Sequence, residues 1–235
     1  MPRQIKSKER VAEHGEVLTS EGEVKAMLDL VKSETDRIES RFLEPACGDG
    51  NFLAEILRRK LARVKRQYKR NNSEYTKNAF LALTSIYGKI DIQEDNVKEC
   101  RERLFQIWDE AYTKQCKKES SDEIRSAARY ILQKNILCGD ALTLMQNDNT
   151  PIIFSQWDFT VGYRMRRRDF TLDALMRDEE PEKVEDTGQM NFMDMLTEKK
   201  KQGWDYDAET HGWTPAPIRE FSSVDYWEVQ YVTES

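Results

Sequence analysis

One stretch of the sequence decides the fold: Phe42-Leu43-Glu44-Pro45-Ala46-Cys47-Gly48-Asp49-Gly50-Asn51-Phe52. A short apolar run ends at Glu44-Pro45, a turn with two glycines follows, and apolar residues then recur at helical spacing to about Arg70. The stretch therefore predicts a strand, a glycine turn and a long helix. Glycines let the backbone turn sharply and approach a ligand closely, and a helix start presents free N–H groups.

The acidic residues of this turn indicate which ligand it suits. Glu44 and Asp49 place carboxylates near the helix start, where they would repel a pyrophosphate. A ligand with an ammonium group is favoured instead, which points to S-adenosylmethionine over a dinucleotide. The alternative is an ordinary glycine turn that binds nothing.

Strands and helices alternate along the chain beyond the turn. A second strand is predicted over Gly88-Lys89-Ile90-Asp91-Ile92, a third over residues 135–138 and a fourth over residues 151–154. Helical periodicity fills the intervals between the first three strands. This alternation predicts an α/β fold, a Rossmann-like parallel sheet with helices on both faces.

Composition excludes several classes of protein. Of the 235 residues, 38% are hydrophobic and 34% are charged, which is typical of a protein with one sizeable core. No apolar run reaches the roughly 20 residues of a membrane span, and the N-terminus lacks the apolar region of a secretory signal. The four cysteines contain no C-x-x-C pair, and His14 and His211 are the only histidines. We therefore expect a cytoplasmic protein with reduced thiols and no metal site.

Residues 42–52, F-L-E-P-A-C-G-D-G-N-F, closely resemble the cofactor-binding motif of N6-adenine DNA methyltransferases from restriction–modification systems. The resemblance covers about residues 10–145. It implies a Rossmann-like methyltransferase fold that takes its methyl group from S-adenosylmethionine. The cofactor contacts that it implies in the turn are Glu44, Pro45, Ala46, Cys47, Gly48, Asp49 and Gly50.

The resemblance extends upstream of the turn. Residues 15–20 are similar to the family's G-x-[FY]-x-T-P segment, which closes over the methionine part of the cofactor. Thr19 is the residue that carries over, because Val17, Leu18 and Ser20 depart from the usual aromatic residue and proline.

Two acidic residues downstream also match the family. The resemblance implies that Asp91 binds the ribose hydroxyls and that Asp140 receives the adenine amino group of the cofactor. A carboxylate at the end of a strand can accept from both ribose hydroxyls. Glu94 and Asp95 stay alternatives to Asp91, since the segment before it is one residue longer than the family's G-x-D.

The sequence departs from the family at the catalytic loop. These enzymes act on a flipped base, whose amine is held by a [DNS]-P-P-[YFW] loop after the fourth strand. Here the fourth strand runs into Ser155-Gln156-Trp157-Asp158-Phe159, without the two prolines. As catalytic residues we expect Trp157 to stack on the base and Ser155 or Asp158 to accept from the amine. The alternative is that Trp157 packs at the edge of the core.

Charge divides the chain into two parts. Residues 178–235 hold 15 Asp and Glu against 5 Lys and Arg, whereas residues 1–177 hold 28 against 32. We predict a methyltransferase-like domain over residues 1–177 and an acidic, aromatic-containing extension over residues 178–235. Two basic clusters lie in the first part, and each is either a phosphate contact or a solvated face. The clusters are Arg58, Arg59, Lys60, Arg63, Lys65, Arg66, Lys69 and Arg70, and Arg164, Arg166, Arg167 and Arg168.

Three functions are compatible with these features. The first is an S-adenosylmethionine-dependent DNA methyltransferase, adenine-N6 by resemblance, from a restriction–modification or phage-defence context. Its partners would be DNA and a specificity or restriction subunit. The second is a catalytically silent subunit or regulator derived from a DNA methylase, which the missing proline loop favours. The third, methyl transfer to a small molecule, has the least support.

Overall fold

A computed structural model describes residues 19–90, 94–140, 143–176, 203–207 and 212–232. Within these ranges, no helix is long and apolar enough to cross a membrane. The elements are α1 Glu21–Leu30, α2 Lys32–Thr35, β1 Phe42–Glu44, α3 Asn51–Tyr68, α4 Asn72–Thr84, β2 Ile86–Ile90, α5 Glu94–Cys116, α6 Asp122–Asn135, β3 Ile136–Cys138, β4 Ile153–Phe159, β5 Arg164–Thr171, α7 Leu172–Met176, β6 Trp204–Asp207, β7 Gly212–Pro215, β8 Arg219–Glu220 and β9 Val224–Asp225, with 3-10 turns at Lys117–Glu119 and Tyr226–Tyr231.

Strands β1, β2 and β3 form a parallel sheet in that order. Phe42 lies opposite Ile86, and Gly88 lies opposite Ile136. Because the strands run in parallel, their carboxyl ends meet at one edge of the sheet. The prediction of an α/β structure with a parallel sheet is confirmed for these three strands.

The long helices α3 to α6 pack together in the main core. Helix α3 is amphipathic, and Leu53, Leu57 and Val64 on its inner side have no exposed surface. Ile86 of β2 and Ile136 of β3 belong to the same core. One face of the parallel sheet is therefore covered by helices.

A cation of α3 also lies inside this core. Lys60 has no exposed surface, and its Nζ donates to Ile38 O at 3.0 Å, to Ser85 Oγ at 2.6 Å and to Ser40 O. These three acceptors match the three N–H groups of an ammonium. They precede β1 and β2 in the chain, so Lys60 ties α3 to the amino-terminal edge of the sheet.

The fourth predicted strand does not belong to the parallel sheet. Strand β4 pairs with β5 in an antiparallel hairpin, with Phe159 opposite Met165. The tight turn between them explains the direction of β5. Gly162 has a φ of 66°, and Thr160 N donates to Arg164 O at 2.9 Å.

The connection from β3 to β4 explains why β4 leaves the first sheet. A parallel strand needs a crossover, usually a helix, to return to the same end of the sheet. Here the described residues of the connection form isolated bridges, in which Met145 pairs with both Asp140 and Pro151. This loop contains no helix in its described residues, and β4 joins a second sheet with β5, β8 and β9.

The second face of the parallel sheet is covered by this later part of the chain. Tyr87 and Leu137 pack there with Ile152, Phe154 and Leu172. The rings of Tyr87 and Phe154 meet edge to face with centroids 5.7 Å apart. In the described ranges, the four long helices share the main core, and the short helix α7 contributes Leu172 to this second cluster. The arrangement of helices on both faces of the sheet stays a prediction.

The C-terminal residues complete the same body. Strands β8 and β9 pair with β5, and the 3-10 turn Tyr226–Tyr231 packs on α6. Tyr226 enters the main core, where its ring centroid lies 4.7 Å from that of Phe80. The boundary at residue 177 stays a prediction, and residues 177–202 lie outside the described ranges.

Candidate functional site

The turn between β1 and α3 has the strand–turn–helix form that the sequence predicted. Gly48 has a φ of 49° and Gly50 a φ of 84°, a region that strains any residue with a side chain. Gly50 is the N-cap of α3: its N–H donates to Cys47 O at 2.7 Å, and its carbonyl accepts from Ala54 N at 2.8 Å. Gly50 has no side chain with which to cap α3, and the first N–H groups of the helix, which have no intrahelical partner, lie at the carboxyl edge of the sheet.

The turn lies tightly against its neighbours. A Cβ at Gly50 would lie 2.6 Å from Cys100 Sγ, and a Cβ at Gly88 would lie 2.8 Å from Cys47 Sγ. Cys47 is 7% exposed, and burial raises the pKa of its thiol far above the usual range. Cys47 is therefore a neutral packing residue, and it lies with Cys100 directly beneath the glycine turn.

An arginine of α5 braces the turn from the side. Arg103 Nη1 lies 3.2 Å from Asp49 Oδ2 and donates to Asn51 Oδ1 at 2.7 Å. Asn51 Nδ2 in turn donates to Thr19 O at 3.2 Å. The structure thus places Thr19 beside the turn, and its contact with the cofactor stays a prediction. The ion pair with Arg103 also offsets the negative charge of Asp49, which makes this carboxylate a poorer partner for a ligand's ammonium group.

Glu44 is the other acid that the sequence proposed for the turn. It ends β1, and its Oε1 accepts from Ala46 N at 3.4 Å across Pro45. Glu44 forms no ion pair with a described residue, whereas Asp49 does. Of the two carboxylates, Glu44 is the one available to a cation.

Asp140 lies at the same edge, two residues after β3 ends at Cys138. Its N–H donates to Met145 O at 2.8 Å, and Thr143 Oγ1 donates to its Oδ2 at 3.0 Å. A Cβ at Gly139 would lie 2.7 Å from Met145 O, so this glycine permits the close approach of the two segments. Asp91 follows β2 directly in the sequence but lies outside the described residues.

The chain matches no family model, no curated protein and no solved structure. Its function must therefore be argued from the site itself. Within the described part of the chain, no group of three or more His, Cys, Asp or Glu side chains is arranged to hold a metal ion.

Trp157, expected from the sequence to stack on a base, lies in the core. It is 4% exposed, and its Nε1 donates to Asn135 Oδ1 at 3.0 Å. Its ring meets Tyr130 edge to face at 6.2 Å. Asn135 directly precedes β3, so Trp157 is anchored at the amino end of that strand and not at the carboxyl edge.

Ser155 and Asp158, the other two expected catalytic residues, are engaged within the second sheet. Ser155 is 1% exposed, donates to Asp169 Oδ1 at 2.7 Å and accepts from Arg167 Nε at 2.9 Å. Asp158 pairs with Arg41 at 3.0 Å and with Arg168 at 2.9 Å. Arg41 precedes β1, so Asp158 also lies at the amino end of the parallel sheet.

The two basic clusters separate into structural and exposed cations. In the second cluster, Arg167 forms a buried two-bond pair with Asp169, at 2.8 and 2.7 Å, and Arg168 pairs with Asp158. In the first cluster, Lys60 is buried and Arg59 pairs with acidic neighbours. The exposed cations that remain in it are Arg58, Arg63, Lys65, Arg66, Lys69 and Arg70.

Sequence reasoning missed Arg103 and Cys100, which hold the turn from α5. Both lie on a long helix whose periodicity identifies its buried face, but nothing in that pattern identifies which turn the helix supports. One signal was present: a glycine turn that approaches its neighbours closely needs a compact partner, and Cys100 lies on the buried face of α5.

Proposed function

We propose that the chain binds S-adenosylmethionine at the carboxyl edge of β1, β2 and β3, and that it functions as a DNA methyltransferase-like protein, adenine-N6 by its resemblance. One observation carries the proposal. Gly48 and Gly50, which both have a positive φ, form the turn before α3, and this turn lies at the edge of the sheet where Asp140 follows β3. Close backbone approach, free helix amides and a carboxylate are thereby combined at one place. A Rossmann-like methyltransferase fold is part of this proposal.

Several described residues fit the proposed cofactor, because they offer counterparts to its carboxylate, ammonium and adenine amino groups. The open amides of α3 suit the carboxylate of the methionine part, and Glu44 suits its ammonium group. By the resemblance, Asp140 would accept from the adenine amino group, and Thr19 would lie over the methionine part. Asp91, which lies outside the described residues, would accept from the ribose hydroxyls. When bound, the cofactor supplies an activated methyl group.

DNA is the proposed acceptor and partner. Several exposed cations, on α3 and just after it, form no ion pair with a described residue. They are therefore available for contacts with DNA phosphates. A specificity or restriction subunit is the second proposed partner, because the described ranges hold no separate unit for reading a target sequence. The cations are Arg63, Lys65, Arg66, Lys69 and Arg70.

A second candidate function is a cofactor-binding subunit that does not transfer the methyl group by itself. The observation that favours it is the position of Ser155, Trp157 and Asp158. Their polar groups already bond to protein partners, and two of the three are anchored at the amino ends of β1 and β3. Because methyl transfer depends mainly on positioning the acceptor amine, a chain without a free clamp is expected to be slow.

Two measurements on the full chain separate these functions. Calorimetric titration with S-adenosylmethionine and adenosylhomocysteine tests the cofactor site. Transfer of a tritiated methyl group to mixed DNA then tests catalysis. Binding with transfer supports the methyltransferase, whereas binding without transfer supports the silent subunit. Absence of binding by a folded chain would exclude both.

Matched variants make the catalytic test specific. The sequence predicts that Trp157→Ala abolishes transfer and spares cofactor affinity. The buried position of Trp157 at the amino end of β3 predicts instead that an active chain keeps its transfer in a folded Trp157→Ala variant, with Trp227→Ala as the control for loss of a tryptophan elsewhere. Robust turnover that survives alanine at Ser155, Trp157 and Asp158 would show that the target base binds elsewhere.

A further inference from the structure

An open groove lies between α3 and α5 at the surface of the protein. Its volume is about 800 Å³, which is within the range of sites that bind other molecules. Arg103 Nη1 donates to Asn51 Oδ1 at 2.7 Å, and Gln115 Nε2 donates to Lys69 O at 3.0 Å. The first bond lies at the beginning of α3 and the second at its end, so the two helices run in the same direction and form the walls of the groove.

The wall from α3 is one stripe of that helix. It consists of Arg58, Leu61, Ala62 and Lys65, at positions i, i+3, i+4 and i+7. Residues at this spacing lie on one face of a helix, and the first and last are about 10.5 Å apart along the axis, because each residue advances the helix by 1.5 Å. The stripe therefore has an apolar middle and a cation at each end.

The wall from α5 repeats this arrangement. Arg103 begins its stripe, Ile107 and Ala111 form the middle, and Lys114 ends it, at spacings of three and four residues. Glu110 is the acid that lines this wall. The two stripes together give the groove an apolar floor in the middle and basic ends.

The basic ends of the groove carry unused positive charge. Arg58, Lys65 and Lys114 are exposed, and none of them forms an ion pair with a residue in the described ranges. Lys117, in the turn after α5, adds a further exposed cation to the lining. Like charges gathered at one place repel each other and attract an anion. The groove therefore suits a negatively charged partner.

The floor of the groove distinguishes two kinds of anionic partner. A nucleic acid contacts cations through its phosphates, and a single strand also stacks its bases on aromatic rings. The aromatic residue of the lining, Tyr75, is 1% exposed and donates to Ala111 O at 3.3 Å, so its ring is not available for stacking. An amphipathic helix would use the whole groove, with apolar side chains on the floor and acids at the ends. Ala62 and Ala111, small residues on facing walls, permit the close approach of a third helix.

We propose that this groove binds an acidic amphipathic helix of a partner protein. The helix lies along α3 and α5, with two apolar residues over the floor and an acid towards each end. The matching sequence has an acid, apolar residues three and four positions later, and a second acid at the seventh position. No acid within residues 178–202, the acidic stretch of the chain itself, begins such a pattern. The proposal does not rest on cofactor binding or on methyl transfer.

The test is a fluorescence-anisotropy titration of the full chain with a labelled helical peptide that carries this pattern with Glu and Leu. A dissociation constant below roughly 100 µM is expected. The same peptide with Lys in place of each Glu is expected to bind at least tenfold more weakly. Ala62→Phe, which fills the floor at an exposed position, is expected to weaken the Glu peptide at least tenfold. Lys98→Glu, at an exposed position of α5 outside the groove, is expected to leave binding unchanged.

An exchange of charge separates recognition from damage to the fold. A chain with both Arg58→Glu and Lys114→Glu is expected to bind the Glu peptide at least tenfold more weakly and the Lys peptide at least fivefold more tightly, a gain that unfolding would not produce. The proposal is overturned if this gain is absent, or if the Glu peptide does not saturate the unchanged chain up to roughly 1 mM.

Two other occupants are outcomes of the same experiment. If a duplex oligonucleotide displaces the Glu peptide, and its own affinity falls as much as that of the peptide in Ala62→Phe, the groove is a nucleic-acid site. If the chain sediments as a dimer that Ala62→Phe dissociates, a second copy occupies the groove. Either result contradicts the proposal.

Discussion

The sharpest consequence of the structure concerns Gly50→Ala. At a φ of 84°, any residue other than glycine costs about 1–2 kcal/mol. The added Cβ would also lie 2.6 Å from Cys100 Sγ, well inside ordinary contact. Overpacking of this kind costs about 1–3 kcal/mol. We therefore expect Gly50→Ala to lower the free energy of unfolding by about 2–5 kcal/mol, measured by urea denaturation.

Two variants separate these contributions. Gly162 has a φ of 66° and no heavy atom within 4 Å of the position of a Cβ, so Gly162→Ala carries the backbone strain alone. It should cost about 1–2 kcal/mol. Cys100→Ala removes the Sγ and leaves the next atom, Cys100 Cβ, at 3.5 Å from the new methyl group. In a double-mutant cycle, Cys100→Ala should therefore recover about 1–3 kcal/mol of the loss caused by Gly50→Ala.

The refuting result is clear for each part of this reasoning. If Gly50→Ala and Gly162→Ala lower the free energy of unfolding equally, within about 0.5 kcal/mol, the close contact with Cys100 does not contribute to the loss of stability. If the cycle shows no coupling, the floor under the turn is not Cys100. Calorimetry with adenosylhomocysteine on the same folded variants then shows whether a change in the turn also reaches the proposed cofactor site.

The remaining predictions concern the cofactor and the buried lysine. Gly48→Val should lower S-adenosylmethionine affinity at least tenfold, about 1.4 kcal/mol, by calorimetry, and unchanged affinity in a folded variant would remove the basis of the assignment. Asp140→Ala should weaken adenosylhomocysteine binding by about 1–3 kcal/mol. An analogue without the amino group should lose little from this change, and an equal loss for both ligands would mean that Asp140 is not the partner of the amine. Burial lowers the pKa of Lys60 to about 7, against 10.5 in the unfolded chain. The folded protein then binds fewer protons between these values, so stability should rise with pH from about 7 towards 10, relative to Lys60→Met. Parallel pH curves of the two proteins, from urea denaturation, would contradict this.

The glycine turn could be predicted from the sequence because its physics is local. A left-handed backbone favours glycine, and the first amides of a helix have no intrahelical partner. The residues that signal these two features all lie within residues 42–52. Ser20 and Glu23 at the start of α1 form a capping box, S-x-x-E in the sequence, which is an equally local signal, and the structure shows both of its hydrogen bonds. Signals that lie within a few residues of each other need no tertiary contact to be interpreted.

The course of the chain after β3 could not be predicted in the same way. An apolar run such as residues 151–154 has the same periodicity in a parallel or an antiparallel sheet, and only the connection before it decides between them. Gly162 in Val161-Gly162-Tyr163, between two β-rich runs, was a hairpin signal that could have been used. The buried pair of Arg167 and Asp169 had no such signal, because adjacent basic residues in a sequence are equally compatible with a solvated face.

The parallel sheet separates the two halves of the proposed activity in space. Gly48, Gly50 and Asp140 lie at its carboxyl edge, where ligands of open α/β sheets bind. Trp157 and Asp158 are tied to residues that precede β3 and β1, at the amino ends of the same strands. An acceptor base clamped by those residues would lie on the wrong side of the strands from a methyl group held at the carboxyl edge. Catalysis by this chain therefore requires a base-binding group other than these two residues, from the chain itself or from a partner, and a methyl-transfer assay with and without a specificity subunit decides which.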